Sequence, residues 1–177
     1  MEKKQKISTR KIVFVALMAA LTVAGSALRI TLPIDIAGTT SFHLGNIMCA
    51  LSGLLLSPWL GGLAAGLGSA IYDMTNPLYI SECWITFLTK GAYGLAVGLV
   101  VWKAKDKWGY GKATIATVAG ALTYAVLYLS KSYFYSGLLL KGLTPAAALT
   151  TVIAIVIAPF LAVNIRAALE HNHLTLE

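Results

Sequence analysis

A chain of 177 residues that is 58% hydrophobic and only 12% charged, with a mean hydropathy of +0.76, is too apolar for a soluble enzyme. Fourteen Lys and Arg against seven Asp and Glu leave a net charge of +7, which in a soluble protein would suggest nucleic acid. In so apolar a chain the excess fits loops facing anionic membrane lipid, and no nucleic-acid partner is expected.

Hydrophobic runs resolve into six predicted spans, an all-α integral membrane protein built as a six-helix transmembrane bundle, a single domain over 1–177. Span 1 covers about 11–28. Its flanks also resemble a secretory signal: Lys3 to Lys11 is basic, Ile12 to Val23 is apolar, and Ala24-Gly25-Ser26-Ala27 looks like a cleavage site. Small residues nevertheless recur at helical spacing through this stretch, so a retained helix is expected. Ala16, Ala20, Ala24 and Ala27 form one stripe, which either packs inside the chain or docks another subunit.

A polar connection, 29–41, holds Arg29, Pro33 and Asp35. Span 2 runs about 42–56, with Ser41 as its expected N-cap. At about 15 residues it reaches only ~22 Å, short of the ~30 Å hydrocarbon core, and predicts a depression on the outer face. Ser57-Pro58 makes a tight turn into span 3, about 58–74, where Gly62-x-x-x-Gly66 and Gly68 permit close helix approach. They do not form a phosphate loop, which needs a preceding strand and a following Lys-Ser/Thr.

An outer loop, 75–82, leads to span 4, about 83–102, with Gly94-x-x-x-Gly98. The basic loop KAKDKWGYGK, 103–112, precedes span 5, about 113–135. Thr144-Pro145 opens span 6, about 145–166, and Pro159 is expected to kink it. Cys49 and Cys83 are too few for a disulfide framework or metal site and read as packing residues.

Charge sets the expected topology. Lys3, Lys4, Lys6, Arg10, Lys11, Lys103, Lys105, Lys107, Lys112 and Arg166 fall on one side, and only Arg29 and Lys141 on the other. Basic loops stay inside, so both termini are expected to be cytoplasmic. Lys90 and Lys131 remain within spans, where a charge is costly and usually functional.

The candidate site gathers around those two lysines. Tyr124, Tyr128, Lys131 and Tyr135 lie within ~60° of one another on span 5. An aromatic belt with a snorkelling lysine would explain Tyr135 and Lys131, but Tyr124 lies ~16 Å deeper and suits a ligand-facing wall. Thr86, Lys90 and Tyr93 share a face of span 4; Lys90 needs either an internal pair with Asp73 or Glu82, or a ligand anion. Asp73, Asn76 and Glu82 surround the outer end of spans 3 and 4. His43 and Asn46 stand at the same mouth, although a lone His there is more often a cap or surface residue. No paired carboxylates, HExxH or Ser-His-Asp set occurs, so no catalytic or metal residues are expected.

Certain stretches resemble a known family. They are Ala16-Leu-Met-Ala-Ala20, Leu44-Gly45-Asn46, Leu54-Leu-Leu-Ser-Pro-Trp-Leu-Gly61 and Gly66-Leu-Gly-Ser-Ala-Ile-Tyr-Asp73. Together they are similar to the substrate-binding S components of energy-coupling factor (ECF) vitamin transporters. Ser57 departs from the Gly often found before that Pro, a change a capping Ser would make harmless. The resemblance implies a six-helix subunit of a prokaryotic cell membrane that captures a water-soluble vitamin from outside, under the outer loops. It implies docking through Ala16 and Ala20, with Ala24 on the same stripe, onto a membrane scaffold subunit joined to two cytoplasmic ATPases. No cofactor is expected in this chain; ATP and Mg belong to those partners. Toppling in the membrane would turn the loaded site inward.

The lysines and phenols favour an anionic vitamin, pantothenate first and folate next. Riboflavin, pyridoxine and hydroxymethylpyrimidine remain open if the lysines pair internally. A structural six-span scaffold without a ligand is the alternative function, although it needs neither deep lysines nor a phenol stripe. A membrane enzyme would need a reactive cluster that the sequence lacks.

Overall fold

The computed structural model of the protein describes residues 8–34, 38–77, 79–103, 108–136 and 145–172. Its six helices follow the predicted spans in order: α1 (Thr9–Ala27), α2 (Gly45–Leu55), α3 (Pro58–Met74), α4 (Cys83–Trp102), α5 (Tyr110–Ser136) and α6 (Pro145–His171). The stretches Thr9–Ala27, Ile80–Trp102, Tyr110–Phe134 and Ala147–His171 are each long and apolar enough to cross a membrane. The protein is an all-α bundle of membrane type. Both α5 and α6 run beyond the predicted limits of 113–135 and 145–166.

The connection 29–41 is not a plain loop. Strand β1 (Arg29–Ile34) pairs antiparallel with β2 (Gly38–His43), in register from Arg29 opposite His43 to Ile34 opposite Gly38. This corrects the start of span 2: α2 begins at Gly45 with Leu44 at its N-cap, and Ser41 lies inside β2, away from the cap position. Thr39, Thr40 and Phe42 are good strand formers, and the ladder satisfies the backbone groups of the two strands. Ser57 does occupy the N-cap of α3, but its hydroxyl makes no capping bond. Pro58 at the first turn, pre-set in φ, marks that start instead. Thr144 lies outside the described residues.

The short helix is the hub. At eleven residues α2 spans only ~16 Å, yet it touches all five other helices, and nine of its residues are buried. It survives in a bilayer because its neighbours, rather than lipid, surround it. On one side α6 meets the core through Ala154, Ala158 and Ala162, each with no exposed surface. On the other, α3 and α4 approach so closely that side chains would collide. A Cβ on Gly62 would stand 2.9 Å from the Gly91 carbonyl oxygen, and one on Gly94 2.8 Å from that of Gly61. The glycine spacing thus serves close packing, as the sequence indicates.

Helix α6 continues through Pro159, which is fully buried. Outward-facing side chains are apolar, among them Leu17 and Leu21 on α1, Leu63 and Ile71 on α3, Val126 on α5 and Val156 on α6. Cys49 and Cys83 are free thiols, with Cys49 Sγ 3.5 Å from Ser69 Oγ in the core.

Candidate substrate-binding site

The polar side chains of the bundle collect where α2 begins and α3 ends. Lys90, only 6% exposed, extends from α4 to hydrogen-bond Asn46 Oδ1 in the first turn of α2. Its ammonium lies 4.0 Å from the ring centroid of Tyr124 on α5. An amide oxygen and a π-face replace part of the lost hydration. Among the described residues neither expected carboxylate partner is paired with it. Glu82 is taken by Lys131, and Asp73 is hydrogen-bonded with Thr86.

The tyrosines form a ladder. Tyr93 and Tyr124 stack with centroids 5.8 Å apart at 29°, and Tyr124 meets Tyr128 at 5.5 Å and 30°. The deep end is fixed by Gly120, where a Cβ would come 2.7 Å from the Tyr93 ring. Tyr93 is 1% exposed, and among the described residues its buried hydroxyl has no hydrogen-bond partner. Buried polar atoms are seldom left so, because the lost hydration is not recovered. Tyr124 and Tyr128 therefore line the inside of the bundle and are not belt residues. Tyr135 belongs to α5, but its side chain lies outside the described set.

The outer rim is built by two connections. Lys131 on α5 pairs with Glu82, which closes a 3₁₀ turn (Ile80–Glu82) ahead of α4. Asn76 shapes this connection through its carbonyl, which accepts from the amides of Tyr79 and Ile80 at 2.9 and 3.1 Å. On the hairpin side, His43 Nδ1 accepts from the Gly45 amide at 3.2 Å, combining the cap and rim roles. Burial, reinforced by Lys90 and Arg29 nearby, holds the His43 imidazole down at about 3, so it is neutral at physiological pH.

Most of the expected residues therefore come together: His43, Asn46, Asp73, Glu82, Thr86, Lys90, Tyr93, Tyr124, Tyr128 and Lys131 are linked by contacts or by mutual charge effects. Sequence reasoning missed Arg29, Tyr72 and Tyr79. Arg29 was read only as an outer charge, and its guanidinium lies 5.2 and 5.0 Å from those two rings. The available signal was Tyr72 beside Asp73 at the end of an apolar helix.

On α1 the alanine stripe has the opposite setting. Ala16, Ala20, Ala24 and Ala27 are exposed, while Val15, Met18, Ala19, Thr22, Gly25 and Ser26 face the bundle. The stripe is therefore not consumed by packing within the chain.

Comparison with known proteins gives this arrangement its family. Residues 6–168 match the family described as ECF-type riboflavin transporter, S component. The chain belongs to that family. It is therefore a substrate-binding subunit of an ECF transporter and not an enzyme, and the family with its apolar helices makes it a multi-pass membrane protein. S components of this kind associate with an ECF scaffold and ATPase subunits and take a vitamin as substrate. A protein of Pyrococcus woesei described as an uncharacterized protein in the gap 3' region is 34% identical over 118 residues, covering 67% of this chain and 74% of that one. No solved structure matches.

Proposed function

We propose that this S component captures a planar, ring-bearing vitamin, with riboflavin the first candidate, from outside a prokaryotic cell. It would hand the vitamin to an ECF scaffold driven by two cytoplasmic ATPases that use ATP and Mg. Both termini would lie in the cytoplasm, as the bias of basic residues supports. The exposed alanine stripe of α1 would meet the scaffold, since small residues remove the barrier to a close helix approach.

The ladder Tyr93–Tyr124–Tyr128 carries the substrate reading. Its rings offer stacking faces, and the Tyr93 hydroxyl, without a partner among the described residues, offers a donor at the deep end. Lys131, which the sequence offers to an anionic vitamin, is engaged by Glu82. That shifts the balance away from pantothenate and toward a neutral ring. The family's own name points the same way.

One observation favours an acidic ligand instead: Lys90 is buried with a neutral amide and a π-face but, among the described residues, no carboxylate partner. Calorimetry on the purified protein with riboflavin and with pantothenate separates the two readings. Riboflavin is expected to bind and pantothenate not. Tight pantothenate binding that collapses in Lys90→Met would establish the second reading and overturn the first.

A further inference from the structure

Arg29 opens β1, and its guanidinium lies over two phenol rings, 5.2 Å from the centroid of Tyr72 on α3 and 5.0 Å from that of Tyr79 in the connection before α4. A cation–ring contact uses no N–H donor as a hydrogen bond, so the guanidinium keeps its donors for an acceptor. Nε is buried, and among the described residues it has no hydrogen-bond partner. Asp73 lies close enough to feel the charge, but its hydrogen bond is with Thr86. The ion pairs among the described residues are Lys131–Glu82 and Arg166–Glu170. His43, opposite Arg29 in the hairpin, feels both Arg29 and Lys90, so the guanidinium borders the polar cluster. A buried donor without a partner among the described residues, at the edge of a ligand site, is what a recognition group looks like before its acceptor arrives.

We propose that Arg29 is a specificity-determining residue of the substrate site, its Nε–H donating to an acceptor oxygen of the bound vitamin while the rings of Tyr72 and Tyr79 hold the cation beside the site. The acceptor is a ring carbonyl, a hydroxyl or a carboxylate. A molecule without oxygen at that edge would strand the donor and be rejected, because a site built for a hydrogen bond discriminates strongly against an analogue that cannot make it. Binding through Arg29 also ties the hairpin to the bound molecule. The proposal rests on the substrate-capture reading above.

The test compares wild type, Arg29→Lys and Arg29→Met, purified in detergent, by riboflavin titration, by melting temperature without added vitamin, and by native mass spectrometry of any retained small molecule. Lysine keeps a cation beside the two rings but not the planar donor; methionine keeps only an apolar stem. For both variants riboflavin affinity should fall by roughly 10- to 150-fold, the range for losing a charge-assisted hydrogen bond. Arg29→Lys should melt like wild type. Wild-type affinity in Arg29→Lys, or a lowered melting temperature without loss of affinity, would make Arg29 a staple between connections and overturn the proposal. If wild type ignores riboflavin but retains another molecule, the riboflavin reading fails and Arg29 is judged on that retained mass. Its loss from Arg29→Lys upholds the proposal, and undiminished occupancy overturns it. A wild type that neither binds riboflavin nor retains any small molecule overturns both.

Discussion

Alanines four residues apart form stripes on two helices, α1 and α6, and the stripes meet opposite surroundings. Ala154, Ala158 and Ala162 of α6 are sealed in the core, whereas Ala16, Ala20 and Ala24 of α1 are exposed on a face shared with Leu17 and Leu21. The spacing is the same, so spacing alone does not decide what a small-residue stripe approaches. What differs is the opposite face. Helix α1 already turns Val15, Met18, Thr22 and Ser26 inward, which leaves its alanines for a neighbour outside the chain. On α6 the exposed side carries large residues, Val152, Val156 and Phe160, and the alanines are spent inside.

The sharpest way to break this comparison is to place the same bulky residue on each stripe. Ala158→Trp overfills a site with no free volume, a change that commonly costs 1–3 kcal/mol and more for an indole. It should yield little folded protein by size-exclusion chromatography. Ala20→Trp should fold and bind riboflavin like wild type, yet abolish uptake in cells that express the whole transporter. Loss of binding in Ala20→Trp would place that stripe inside the fold after all.

A gentler substitution sharpens the same contrast. Glycine at 158 removes a packed methyl and weakens the helix by about 1 kcal/mol. Its melting temperature should drop by a few degrees. Glycine at 20 still permits close helix approach, so uptake should persist, and abolition would show that the methyl itself makes the contact.

The smallest effect concerns pH, and it should come from the outer rim rather than from either stripe, because alanines do not titrate. His43 is held at about 3 in the folded protein against 6.5 for a free imidazole. A depressed histidine pKa leaves stability intact above pH 6.5 and drains it as pH falls from there toward 3, because the opened form takes up the proton first. Melting temperature should therefore decline by a few degrees between pH 7.5 and 5, and less so in His43→Gln. An identical decline in both proteins would assign it to other groups.

The order and membrane character of the helices were legible because apolar runs and glycine spacing report burial directly. Lys90, Tyr93, Tyr124 and Tyr128 were legible for the same reason, since polar groups deep in apolar helices stand out. The hairpin was not: 29–41 combines Pro33 and Asp35 with strand formers, and only pairing across the turn reveals the strands. The partner of Lys90 was also hidden. Charge complementarity pointed to Asp73 or Glu82, but the bundle geometry delivers Asn46, and Glu82 reaches Lys131 first. Arg29 escaped because its significance depends on two tyrosines more than forty residues away.

Helix lengths around the circumference have a mechanical consequence. At 1.5 Å per residue, α1 and α3 extend ~29 and ~26 Å, while α5 and α6 each extend ~40 Å. One flank falls just short of the ~30 Å hydrocarbon thickness, and the other, with charged ends such as Lys112 and Arg166, nears the ~40–45 Å that includes both headgroup layers. A bilayer accommodates such mismatch by tilting the protein or deforming locally, each at modest cost per ångström. Uneven height would set a short flank against one that reaches both interfaces, and varying acyl-chain length is expected to shift the subunit's inclination.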